Sequence, residues 1–181
     1  MIGRVRWCYN RLMHAQIPLS GSDEDLLRIS AQNPGWRVER TAAGQLLMTP
    51  PAGANSSRRN ARLAAIVDEW SQSHGYVAFD SSGGFRLGAS EVVSPDASLV
   101  AAEDWAKLGD EEREFFYPGA PAIAIELCSP TDEPERMRAK LQRLREAGTA
   151  YVIFIDPYRR AIWTEGTPPG GFDLNFEELL D

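Results

Sequence analysis

The sequence predicts a mixed α/β fold, a mixed sheet flanked by helices with an N-terminal helix and a β-hairpin ahead of it. Three observations carry that expectation. Residues 122–128 (AIAIELC) and 151–155 (YVIFI) are short apolar runs bounded by proline, glycine or aspartate, as buried strands are. Leu63, Ile66, Val67 and Trp70 recur at helical spacing, and so do Met137, Leu141 and Leu144. The two kinds of segment alternate along the chain, which places helices over a sheet.

Taken in order, residues 1–20 are expected to form an extension ending at Pro18, ahead of a single domain over 21–181, with Met13 a candidate alternative start. Ser22 has the chemistry of an N-cap, and Asp23, Glu24 and Asp25 suit the first turn of a helix to about Gln32. Pro34-Gly35 stops it. Residues 36–40 and 45–48 form a hairpin closed by Ala43-Gly44. The polar stretch 53–57 is expected to cap a helix over about 58–74, ended by Gly75. Short strands are expected at 77–79 and 85–87, a strand opened by Pro95 at 94–100, and a helix over about 103–116. The strand 122–128 leads to a helix over about 134–147 with Gly148 past its end. The strand 151–155 stops at Asp156-Pro157, and 161–165 adds an edge strand.

A chain of 181 residues with 43% hydrophobic residues has the size and apolar content for one domain with a real core. No apolar run approaches the roughly 18 residues needed to span a bilayer. The N-terminus lacks the apolar core of a signal peptide, so no membrane association and a cytoplasmic location are expected. Cys8 and Cys128 make no disulfide framework, and His14 and His74 complete no zinc site with them. The net charge of -7 argues against a protein that grips nucleic acid over its whole surface. Basic residues are nonetheless clustered, at Arg58, Arg59 and Arg62 and again from Arg136 to Arg145. Only two of the 19 basic residues are lysines, Lys107 and Lys140, so each surviving lysine is a candidate for a specific role.

Glu126 is the most informative residue. A carboxylate inside an apolar strand is costly to bury unless it is paired or binds a metal. The two-residue strand repeat puts Ala122, Ala124, Glu126 and Cys128 on one face, with small neighbours beside the acid. An ion pair with an arginine or a half-exposed edge position would serve equally well. Asp96 follows Pro95, where ordinary turn chemistry is an alternative. Lys140 lies roughly 60° from the centre of the Met137, Leu141, Leu144 stripe, nearer the core than any other charge of its helix. It either snorkels along the apolar face or folds back towards the carboxylates. Two acids able to hold Mg²⁺ and one lysine able to offset phosphate charge make a phosphodiester-cleaving set.

The runs SPDASLV, AIAIELCSPTD and AKLQRLREAGTAYVIFIDP, with Glu39, Gly44, PPAG at 50–53 and Arg59-Asn60, resemble the Uma-type putative restriction endonuclease family of the PD-(D/E)XK nuclease superfamily. The resemblance extends over residues 23–158. It implies a restriction-endonuclease-like mixed sheet, with Asp96 and Glu126 as metal ligands. The usual lysine two residues after the glutamate is replaced here by Cys128, and the family pattern moves it to the following helix, at Lys140. Glu39 matches a further family acid that reaches the same site. Leu144 and Val152 depart from the aromatic residues often found there, which touches packing and not the acids.

Asp132 is open to a supporting role at the site or to capping the next helix together with Thr131. Arg59 is open to a phosphate contact or to pairing with Glu39 or another acid. The function expected is a Mg²⁺- or Mn²⁺-dependent endonuclease acting on DNA, as a homodimer. The alternative from another class is a catalytically inert nuclease-like binding or regulatory module, which suits the acidic composition and the lack of a DNA-reading motif. A glycoside-type hydrolase also uses paired acids but leaves Lys140 without a role.

Overall fold

The computed structural model describes residues 15–18, 21–173 and 175–180; the remainder of the predicted extension, with Met13, Cys8 and His14, lies outside the described residues. Strand β1 (Ala15–Pro18) pairs antiparallel with residues 45–48. Helix α1 (Asp23–Gln32) opens with a capping box, in which the Ser22 side chain accepts from the Asp25 amide and the Asp25 carboxylate accepts from the Ser22 amide. The hairpin β2 (Arg37–Arg40) and β3 (Gln45–Thr49) forms as expected, and Gly44 at φ 77 supplies the left-handed residue the turn needs.

Helix α2 (Ala54–Ser71) starts earlier than its sequence suggests, because residues 54–57 join the helix instead of capping it. Gly53 is the N-cap. Strands β4 (Tyr76–Asp80) and β5 (Phe85–Leu87) follow, then β6 (Glu91–Val93), a three-residue strand too short for its alternation to be legible. Strand β7 (Ala97–Ala101) begins after Asp96. The single helix expected over 103–116 is instead two short ones, α3 (Ala102–Trp105) and α4 (Asp110–Arg113), followed by β8 (Tyr117–Pro118). Gly109 divides them, since its conformation (φ -70, ψ 165) is extended and serves as the N-cap of α4.

Strand β9 (Ile123–Leu127), helix α5 (Pro134–Glu146), strand β10 (Tyr151–Asp156) and the edge strand β11 (Ala161–Gly166) complete the regular elements, with 3-10 turns at Pro169–Gly171 and Glu177–Leu179. Helix α5 ends in a Schellman motif. The amide of Thr149 donates to the Leu144 carbonyl and that of Gly148 to Arg145, and Gly148 has the φ of 113 that this closure requires.

The strands make two mixed sheets. One has the order β11-β10-β9-β7-β4, with only β9 and β10 parallel. The other has the order β1-β3-β2-β6-β5-β8, with only β5 and β8 parallel. The expectation of one sheet therefore becomes two, and the short link 94–96 carries the chain from β6 in one to β7 in the other.

Three apolar clusters fix this arrangement. Ile123, Ile125 and Leu127 pack against Leu63, Val67 and Trp70 of α2 and against Phe172, Phe176 and Leu179. The opposite face, with Ala124, Cys128, Val152 and Phe154, meets Met137, Leu141 and Leu144 of α5 together with Phe85 and Val93 of the second sheet. Leu26, Val38, Leu46 and Val92 seat α1 on the second sheet. The strand parity expected for residues 122–128 is thus realised as a division between two cores. No described helix is long and apolar enough to cross a membrane.

Candidate active site

Glu126 lies on the α5 face of β9, 1% exposed, with Ala124 and Cys128 leaving space on either side. The antiparallel register pairs Ala97 with Ile125, and continuing that ladder by one residue sets Asp96 beside Glu126. Asp96, 6% exposed, therefore sits at the mouth of β7 and not within it. One carboxylate oxygen, Oδ2, accepts the Leu127 amide at 2.8 Å, which ties the loop to the strand carrying Glu126.

Glu39 enters from the other sheet. On β2, Val38 points into the α1 core, so Arg37 and Glu39 share the opposite face. Glu39 Oε1 accepts the amide of Ser94 at 2.8 Å. The carbonyl of the same residue accepts Lys140 Nζ at 2.7 Å. Lys140 Nζ also lies 2.9 Å from Glu39 Oε1 and 2.7 Å from Glu126 Oε1. The contact to Glu126 is a close ion pair without hydrogen-bond alignment, and Glu126 Oε1 is buried with no hydrogen-bond partner. The margin position of Lys140 on α5, which the helical repeat picks out, is what turns its ammonium onto this seam between the sheets.

Arg37 completes the cluster, and sequence reasoning missed it. Its Nη1 donates to Asp96 Oδ1 at 2.8 Å and its Nε lies 3.9 Å from Glu39 Oε2. The signal available was its position two residues before Glu39, on the same strand face, but RVER is what an ordinary surface hairpin strand looks like. Ser94 was equally hidden, because it contributes only backbone groups.

Glu39, Asp96 and Glu126 outnumber Arg37 and Lys140 by one charge, and the imbalance shows in their ionisation. Burial pushes Glu126 up to about 7, with Asp96 adding to the rise and Lys140 and Arg37 opposing it. Burial also works against ionised Glu39, but Lys140, Arg37 and the Ser94 amide outweigh it and hold Glu39 below the usual glutamate range. For Lys140 the loss of hydration is more than offset by Glu126 and Glu39, so its ammonium is held above the usual lysine range. Arg37 is stabilised in its charged form in the same way. Glu126 is therefore the acid of the cluster that most readily takes up a proton.

Among the described residues no three acids, cysteines or histidines form a ready ligand cage. The donor set nevertheless fits Mg²⁺ or Mn²⁺. Glu126 Oε1 is an orphaned buried oxygen, Asp96 is a second hard oxygen donor beside it, and Mg²⁺ is typically held by one or two carboxylates plus water and substrate phosphate.

The other singled-out residues lie elsewhere. Cys128 is buried, its thiol donates weakly to the Ser129 carbonyl, and burial pushes the thiol up to about 12, so it stays neutral. Asp132 accepts the Ser129 amide at 2.8 Å, and Thr131 faces the Ser129 hydroxyl at 3.1 Å. Neither caps α5, whose N-cap is Glu133 and whose first residue is Pro134. Arg59 pairs with Tyr158 and not with Glu39: Nη1 donates to the tyrosine oxygen at 3.2 Å. Lys107 makes a surface pair with Asp104.

Residues 23–170 match a family model described as "Putative restriction endonuclease". Among solved structures, the chain is similar to a "putative nuclease belonging to DUF820" from Anabaena variabilis, with a TM-score of 0.62 and 16% identity over 79% of this chain and 89% of that one. No curated protein matches.

Proposed function

The chain belongs to the putative restriction endonuclease family, and on that premise we propose that it is a divalent-metal-dependent endonuclease that hydrolyses phosphodiester bonds of DNA. The observation that supports this most is Lys140 Nζ within 2.9 Å of both Glu39 and Glu126, beside Asp96, at a buried seam with a surplus negative charge. Asp96 and Glu126 would hold Mg²⁺ or Mn²⁺, which supplies charge against the phosphate and acidifies the attacking water.

The chain's own residues do the rest. Lys140 has one donor directed at Ser94 and a second beside Glu39. Its ammonium is shared with Glu126 at 2.7 Å, where its charge can offset charge developing on a phosphate oxygen. Glu39 keeps Lys140 ionised and fixes where its ammonium stands. Arg37 holds the rotamer of Asp96 through Oδ1 while the Leu127 amide holds Oδ2, so the acid is set before substrate arrives. Incubating supercoiled plasmid with the protein and Mn²⁺ tests the proposal. Nicking or linearisation that disappears in Glu126→Ala supports it, and intact plasmid with both proteins sinks it.

A second reading, a nuclease-like module without catalysis, is favoured by one observation. Arg37 at 2.8 Å already neutralises Asp96, so the acid has a partner without any cation. Calorimetric titration with Mn²⁺ separates the two readings, because the inert module would bind none.

A further inference from the structure

Arg59 is buried, 8% exposed, yet among the described residues no carboxylate pairs with it. Its Nε has no hydrogen-bond partner at all. Its guanidinium makes one hydrogen bond to the Tyr158 hydroxyl and rests 5.3 Å from the centre of that ring. A tyrosine is a weak counterpart for a buried full charge, and an uncompensated cation is expensive to desolvate.

The helix that carries Arg59 has a second unmet demand. Helix α2 is 18 residues long, its N-cap Gly53 makes no side-chain cap, and its first turn contains no acid. The free amides and the positive end of the helix dipole therefore lack compensation from the helix's own side chains. Helical side chains lean towards the N-terminus and cover the preceding turn. Arg59 lies in the second turn from that terminus, on the same face as the buried Ser56.

The placement is also informative. Tyr158 follows the end of β10, and the Cys128 amide bonds to the Ile155 carbonyl at that same end. Arg59 and Tyr158 therefore stand at the end of the sheet where Asp96 and Glu126 lie, but under α2, on the face opposite to α5.

We propose that the N-terminal turn of α2 and Arg59 form a phosphate subsite, which takes a backbone phosphodiester of the nucleic acid other than the one being cut. The subsite rests on the nuclease reading for its substrate, and it supplies positioning that the acid cluster, with its net negative charge, cannot. Backbone amides at a helix terminus and an arginine fork suit the oxygens of a phosphate, and Tyr158 holds the fork in place.

The test measures binding of a fluorescein-labelled DNA duplex in EDTA by anisotropy, across a salt series, for the wild type, Arg59→Gln and Arg59→Lys. Plasmid nicking by the wild type with Mn²⁺ is run beside it. Arg59→Gln should weaken binding about tenfold, as loss of a charged hydrogen bond would. It should also lower the slope of log affinity against log salt by about 0.9, which a purely structural arginine would not do. Unchanged affinity and slope in a folded Arg59→Gln protein overturn the subsite, and wild-type nicking in the same experiment leaves the nuclease reading standing. A wild type that neither binds nor nicks overturns both. If Arg59→Gln does not fold, Arg59→Lys decides, with at least a threefold loss of affinity supporting the subsite and full affinity overturning it.

Discussion

Lys140 and Glu126 stand 2.7 Å apart, nitrogen to oxygen, without the alignment of a hydrogen bond. The ammonium donates to the Ser94 carbonyl and lies 2.9 Å from Glu39 and 2.7 Å from Glu126, so an acid from each sheet shares it. A cation held this way offsets part of the charge of Glu126 while leaving its Oε1 without a hydrogen bond.

Lys140→Ala should abolish metal-dependent cleavage and also destabilise the fold. Removing one partner of a buried pair leaves uncompensated charge, at a cost of about 3–5 kcal/mol. Chemical denaturation at pH 7 measures it. A loss below about 1 kcal/mol would mean that the seam readily admits water.

Stability and metal binding should depend on pH through Glu126. Its folded value of about 7 lies above the ordinary glutamate value of 4.5. The native state therefore binds more protons between those values. The contribution of this group is present at low pH and lost as pH rises through about 7. Metal binding requires the ionised form, so the rise in Tm on adding Mn²⁺ should be larger at pH 8 than at pH 6. Glu126→Gln should remove that difference, and an equal metal response at both pH values in the wild type would contradict the assignment.

Arg37→Gln should raise Mn²⁺ affinity, on the order of tenfold, because it removes the cation that already neutralises Asp96. Calorimetry reads the change directly. Unaltered or weaker binding would show that the orienting of Asp96 by Arg37 outweighs its competition with the metal.

Cys128→Ser should leave the cleavage rate within about threefold of wild type, since a neutral thiol carries no charge to the site. A larger loss in the plasmid assay, with the fold intact by circular dichroism, would return position 128 to the mechanism.

A homodimer remains the expected assembly, because two related sites cut a duplex most simply and two-fold dimers are common. Light scattering at micromolar concentration would show twice the chain mass, and a monomer would set the idea aside.

Much of this architecture was legible from the amino acids, for identifiable reasons. A glutamate between isoleucine and leucine in AIAIELC marks a strand with a special face. A lysine at the margin of the Met137, Leu141, Leu144 stripe marks the direction in which that helix reaches. Glu39 was visible only through family resemblance, since nothing in RVER distinguishes it from a solvated hairpin. Arg37 was invisible for the same reason, and its importance depends on a contact with Asp96 from a distant stretch of chain. The division into two sheets was hidden because β6 has three residues and Val92 and Val93 serve different cores. The break between α3 and α4 follows from the extended backbone of Gly109, a residue that the helical pattern tolerates on paper.

Ser94 gives its amide to Glu39 and its carbonyl to Lys140, and both groups belong to the backbone. A mutational scan by alanine would pass over this position in silence, since no side chain is lost that the cluster uses. Only a change to the main chain itself would register, as when proline deletes the amide. Importance at this site is therefore unevenly distributed between what substitution can report and what it cannot. The two peptide groups on either side of the Ser94 α-carbon belong to the second kind, and an ester bond in place of the Ser94 amide would be the way to hear from the first of them.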